Sequence, residues 1–199
     1  MKKQLFILLI LGSIFNIKSI TECELKVDMR KLWSDHVLWT REFILAFVEN
    51  LPIKKATTAR LLKNQDDIGD AVGKFYGADA GKELAKLLRE HILISAKVVG
   101  AAKINNKEEL KKQDDIWHEN AREIAEFLNK ANPDNWPLND LVEMLNMHLK
   151  LTTDEAVSII KKQWKKSTAD FDKVYDEILK MADSLTDGIA AQFPDKVQK

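Results

Sequence analysis

The sequence predicts an all-α protein: a helical bundle of about six to seven helices behind an N-terminal signal peptide. Three observations carry that expectation. Only 7 Gly and 4 Pro interrupt 199 residues, so long helices are favoured over many short strands. Apolar residues recur every three to four positions over most of the chain, the period of one helix face. Period-two alternation of useful length is missing, which argues against a half-buried sheet.

In order, Leu32, His36, Trp39, Phe43 and Phe47 share one face of a helix predicted over residues 29–50, which Asn50-Leu-Pro52 ends. A second helix over 54–75 sets Leu61, Asn64, Ile68 and Val72 on its inner stripe. Gly69 and Gly73 form a notch there for a close neighbour, in this chain or in another copy of a homo-oligomer. Tyr76-Gly77 stops it. A third helix begins near Asp79 and turns Leu84, Leu87, Leu88, His91, Ile94, Ser95 and Val98 inward.

After a turn at Ile104-Asn-Asn106, a fourth helix from Lys107 turns Ile116, Trp117, Asn120, Ile124, Phe127 and Leu128 inward. Asn132-Pro-Asp-Asn-Trp-Pro137 is the clearest loop. A fifth helix over 138–150 sets Leu141, Met144, Leu145 and His148 on one side. Thr152-Thr153 then offers an N-cap for a short sixth helix reaching Trp164. The seventh, over 168–192, buries Phe171, Val174, Ile178, Met181, Leu185 and Ile189 before Phe193-Pro194. Similar stretches at Thr40-Arg-Glu-Phe-Ile44 and Ala121-Arg-Glu-Ile-Ala125 raise the expectation of two related halves.

The first residues stand apart. Lys2 and Lys3 precede an apolar run from Leu5 to Phe15, followed by Asn16 and Lys18. That is the pattern of a secretory signal peptide over residues 1–19, shorter than a comfortable membrane span. Residues 20–28 then read as a linker and 29–195 as the bundle domain. The expectation is a protein secreted or held in the periplasm or cell envelope, with no stable membrane insertion after cleavage. Cys23 is the only cysteine, so no intrachain disulfide forms. Formal charge is zero and no basic stripe exists, which disfavours nucleic acid as a partner.

Familiar catalytic patterns are absent: no Walker loop, no G-x-G-x-x-G after a strand, no H-E-x-x-H, no G-x-S-x-G. What remains is polar residues on helix faces that should be dry. His36, His91 and His148 fall among apolar neighbours on three separate helices; Asn64 and Asp67 lie near the glycine notch; Asn120 is inward on the fourth helix. Buried without partners, such groups cost a few kcal/mol each, so they should find one another or water. Two readings fit. One is a binding or interaction module whose polar core, Asn64 and Asn120 included, is structural. The other is a site for a divalent metal ion or small ligand, with His36, His91 and His148 as nitrogen ligands and Asp67 as an oxygen ligand, and with enzymatic activity left open.

Several strings read together: Leu32-Trp-Ser-Asp-His-Val-Leu-Trp-Thr-Arg41, Arg60-Leu-Leu-Lys-Asn-Gln-Asp-Asp-Ile-Gly69, Phe75-Tyr-Gly77, Asn132-Pro-Asp-Asn-Trp136 and Gly188-Ile-Ala-Ala-Gln-Phe-Pro194. They resemble an uncharacterised family of small bacterial all-helical proteins, some of whose members carry automatic names such as acetylglutamate kinase or glycosyltransferase. The resemblance spans residues 29–195 and implies an all-helical fold with no established activity. Neither name suits the residues here. Such a kinase needs an α/β sheet with glycine-rich phosphate loops, and such a transferase needs nucleotide-binding strands or a D-x-D on a loop.

Overall fold

Thr21 and Glu24 open the first helix reciprocally. Thr21 Oγ1 accepts from the Glu24 N–H at 3.1 Å, and the Glu24 carboxylate accepts from the Thr21 N–H at 2.9 Å, so orphan donors of the first turn are satisfied. The structure, a computed structural model, describes residues 19–199; residues 1–18 of the expected signal peptide lie outside them. Six helices make up the described chain: α1 (Glu22–Val48), α2 (Lys54–Tyr76), α3 (Ala78–Lys103), α4 (Lys107–Ala131), α5 (Leu138–Ile160) and α6 (Trp164–Gln192). Two short strands, β1 (Ile20–Thr21) and β2 (Val197–Gln198), pair in parallel and tie the ends of the described chain together. No helix among the described residues is long and apolar enough to cross a membrane.

The all-α bundle is as expected, with corrections in detail. Residues 20–28 are no linker: they hold β1 and the first turns of α1, because Thr21-Glu-Cys-Glu24 is a capping box. Thr152 does not cap a short helix. It is buried inside α5, which runs unbroken from Leu138 to Ile160 because no Gly or Pro interrupts it. The break comes at 161–163, and α6 starts at Trp164. Ile116 is 41% exposed while its neighbour Trp117 is buried.

Each helix packs on the next and α6 packs back on α1, which closes a ring. Odd-numbered helices also meet one another across the middle, so α1, α3 and α5 line the axis. At the tightest seam, α2 lies against α3 through Gly69 and Gly81, where a Cβ on either residue would strike the other's carbonyl oxygen. The glycine notch is thus filled by a helix of the same chain, not by a second copy. At the same end of the ring, the Trp136 indole, beside Tyr76, lies against Gly188 with no room for a Cβ between them.

The three odd helices end identically. Asn50, Asn105 and Lys162 adopt left-handed φ of 54°, 55° and 56°. The next residue in each case bonds back to a carbonyl five earlier: Leu51 to Ala46 at 2.9 Å, Asn106 to Ala101 at 3.0 Å, Gln163 to Ser158 at 2.8 Å. This is the six-to-one bond of a Schellman cap. In all three, the left-handed residue comes after the helix's histidine at one fixed distance: His36 to Asn50, His91 to Asn105, His148 to Lys162. The chain is therefore three related hairpins, α1–α2, α3–α4 and α5–α6, and the expectation of two halves is replaced. Matching Thr40 with Ala121 sets an axis-lining helix on an outer one.

Candidate functional site

Each hairpin brings the same groups to the axis. His36, His91 and His148 are 3%, 4% and 5% exposed, and each lies near where its helix passes from one apolar cluster to the other, Val98 on α3 still joining the first. One turn further along stands a hydroxyl: Thr40, Ser95 and Thr152 respectively. Four residues before each histidine stands Leu32, Leu87 or Met144. The returning helices carry Asn64, Asn120 and Glu177, each with apolar residues three before and four after: Leu61 and Ile68, Trp117 and Ile124, Val174 and Met181.

The hydrogen bonds repeat as well. His91 Nδ1 meets Asn120 Oδ1 at 2.8 Å, and Asn120 Nδ2 donates to the Leu87 carbonyl at 3.2 Å. In the first hairpin Asn64 Nδ2 donates to the Leu32 carbonyl at 3.0 Å, the matching acceptor. There the imidazole is taken by the adjacent residue, with His36 Nδ1 3.2 Å from Gln65 Oε1. In the third, His148 Nδ1 meets Glu177 Oε2 at 3.0 Å. Every partner of an Nδ1 atom is an oxygen. The amides of Gln65 and Asn120 are oriented by donating their NH₂ groups to the Leu61 and Leu87 carbonyls. Nδ1 therefore carries the hydrogen in the His36 and His91 rings, and Nε2 is the acceptor there.

Burial first, and the neighbouring imidazoles second, push His36 down to about 3; burial first, then His148, pushes His91 to about 3 as well. Both are neutral at physiological pH. Between the histidines and the Schellman-capped end lies a cavity of about 70 Å³. His36, His91, His148 and their three hydroxyl neighbours form its polar floor; Ile44, Val99, Ala156 and others form apolar walls. Leu110 of α4 and Ile160 of α5 stand at its side, where the ring's thinnest seam runs. Thr40 and Ser95 spend their hydroxyl hydrogens on the carbonyls of His36, at 2.7 Å, and Ile92, at 2.8 Å. Thr152, 5% exposed, makes no such bond: its buried Oγ1 has no hydrogen-bond partner among the described residues.

The expected metal set is not assembled. Asp67 faces outward on α2 and pairs with Lys63 and Arg60, since it lies off the stripe that buries Asn64 and Ile68. His91 Nε2 accepts the Trp117 indole N–H at 3.0 Å, so its lone pair is spent. Rings of His36 and His148 approach to 5.8 Å between centroids. Among the described residues no group of three or more His, Cys, Asp or Glu stands in metal-holding geometry. Sequence reading placed the three histidines and Asn64 and Asn120 inward; it missed Gln65, Glu177 and Thr152. The recurring hydroxyl one turn after each histidine was the signal that could have found Thr152.

No protein-family model, curated protein or solved structure matches the chain. The axial site is thus defined by its own geometry.

Proposed function

We propose that the protein is an exported binding module whose axial cavity holds a small neutral amphiphile. A hydrogen-bonding head sits at the histidine floor and a short aliphatic tail lies along the apolar walls beside α4 and α5. The observation that carries this reading is Thr152 Oγ1, a buried hydroxyl without a partner among the described residues, at the polar floor of a cavity with apolar walls. Natural structures leave few such groups, and of those among the described residues Thr152 Oγ1 is the one whose residue lines this cavity. Neutral imidazoles favour an uncharged ligand, because a buried ion would find no counter-charge on His36 or His91. Each Nδ1 is fixed to the following helix, which supports a preorganised binding wall over a moving catalytic group. The Lys2-Lys3 and Leu5–Phe15 pattern supports export.

The test is a series of n-alcohols from ethanol to octanol, read by thermal unfolding and by amide chemical shifts. Saturable stabilisation that peaks at an intermediate chain length is expected, reaching about 2.7 kcal/mol at a hundred times Kd. Shift changes should centre on Ser95, Thr152 and Ala156. Thr152→Val should weaken binding about tenfold. Uniform destabilisation by every alcohol, with scattered shifts, would remove the proposal.

A further inference from the structure

We propose that the Schellman-capped end of the bundle docks on an anionic lipid surface. The three turns that close α1, α3 and α5 lie together: Lys103 Nζ donates to Asn50 Oδ1 at 2.8 Å, and Lys162 Nζ lies 3.6 Å from Glu49. Each turn presents an apolar side chain to solvent. Leu51 and Ile53 stand on the first, Ile104 (71% exposed) on the second, and Trp164 (48% exposed) on the third. Large apolar groups clustered at one end of a molecule mark a contact surface, because scattered single residues are the ordinary case.

Charge names the occupant. A chain of zero formal charge gathers Lys54, Lys55, Lys103, Lys107, Lys161, Lys162, Lys165 and Lys166 at this end. Against them stand Glu49, Glu108 and Glu109, and the buried Asp170, which holds Lys166 at 2.6 Å. Glu49 is held by Lys162 and Glu109 by Gln113. Lysines around exposed aliphatic groups and a Trp fit the headgroup boundary, where an indole prefers to sit and each lysine near the surface strengthens attachment. A protein partner of matching acidity would satisfy the charge but offers no reason for the interfacial Trp. The docking end is also the end toward which the cavity extends from its histidine floor. The docking claim does not depend on any ligand.

The experiment is cosedimentation of the full chain with phosphatidylcholine vesicles with and without 30% phosphatidylglycerol, at two salt concentrations, with tryptophan emission recorded. Binding should require phosphatidylglycerol, weaken with salt and shift the emission to the blue. Trp33, Trp117 and Trp136 are buried already, and half-buried Trp39 packs on the core under Arg60, so Trp164→Phe should abolish most of the shift. Lys55→Gln, Lys161→Gln and Lys165→Gln should each lower partitioning about fivefold. Attachment through the N-terminal apolar run would be indifferent to all four substitutions, and that result overturns the proposal. So would absence of binding at low salt, or self-association through this end in sedimentation without lipid.

Discussion

Asn120 holds His91 and the backbone of the same helix at once: its Oδ1 lies 2.8 Å from His91 Nδ1, and its Nδ2 reaches the Leu87 carbonyl at 3.2 Å. One side chain thereby fixes the rotation of α3 against α4 and the tautomer of the imidazole. Asn120→Leu keeps the approximate volume but strands both the Nδ1–H and the carbonyl. Each buried group left unsatisfied is worth about 1–3 kcal/mol. Urea unfolding should therefore show a loss of about 3 kcal/mol at unchanged m. A loss under about 1 kcal/mol would mean that the layer is wet and loosely held.

Acid should unfold the protein through its neutral histidines. His36 and His91 titrate near 3 in the fold, against an ordinary value of 6.5. The unfolded chain binds their protons first, so their contribution is complete above pH 6.5 and is lost as pH falls toward 3. Glu155 runs the other way. Burial raises it to about 7 from 4.5, against the pull of Arg41, so its contribution is present at low pH and lost between 4.5 and 7. Each group supplies about 1.4 kcal/mol per pH unit, and two histidines outweigh one glutamate. Net stability should fall by about 1.4 kcal/mol per unit between pH 6.5 and 4.5. Urea midpoints that do not change over that range would refute the burial of the rings.

Thr152→Val should stabilise the empty protein. The substitution keeps the branched shape and removes a hydroxyl that has no partner among the described residues, which relieves about 1 kcal/mol of desolvation. Thr40→Val, which removes a hydroxyl bonded to the His36 carbonyl at 2.7 Å, should not stabilise. A melting temperature that rises for the first and not for the second separates a ligand-facing hydroxyl from a structural one.

Two glycines of one helix should respond oppositely to alanine. On Gly81 a Cβ would meet Gly69 O and Gly73 Cα, both backbone, so α2 and α3 must part and several kcal/mol are lost by overpacking. On Gly100 the nearest atom is the Phe47 Cζ at 3.6 Å, an ordinary contact. Gly100→Ala should gain about 0.5–1 kcal/mol from helix propensity. Equal effects in calorimetry would contradict the α2–α3 seam.

Much of this was legible in the chain because helix periodicity is local. The inward turn of His36, His91 and His148 comes from apolar neighbours three and four residues away. Asp67 was misplaced because one step along a helix rotates a side chain by about 100°, and Lys63 with Arg60 offered it a solvent-side partner. Glu177 was unreadable as an inward residue, because a carboxylate on an inner stripe becomes acceptable only once His148 faces it. The threefold repeat escaped notice because its hairpins share few identical residues: a histidine, a hydroxyl and a turn conformation that Lys162 adopts as Asn50 and Asn105 do.

Local spacing by itself determined that the chain is helical, nearly where its helices lie, and which imidazoles face away from water. Only the closed ring decided what those imidazoles meet. Whether three rings converge depends on the axial level of separate helices, and that level is set by the Gly69–Gly81 seam and the three matched Schellman turns. Packing between distant segments also gave each Nδ1 its partner, spent the lone pair of His91 on Trp117 and left the Thr152 hydroxyl without a partner among the described residues. Such contacts are relations between residues tens of positions apart, and no local period records them.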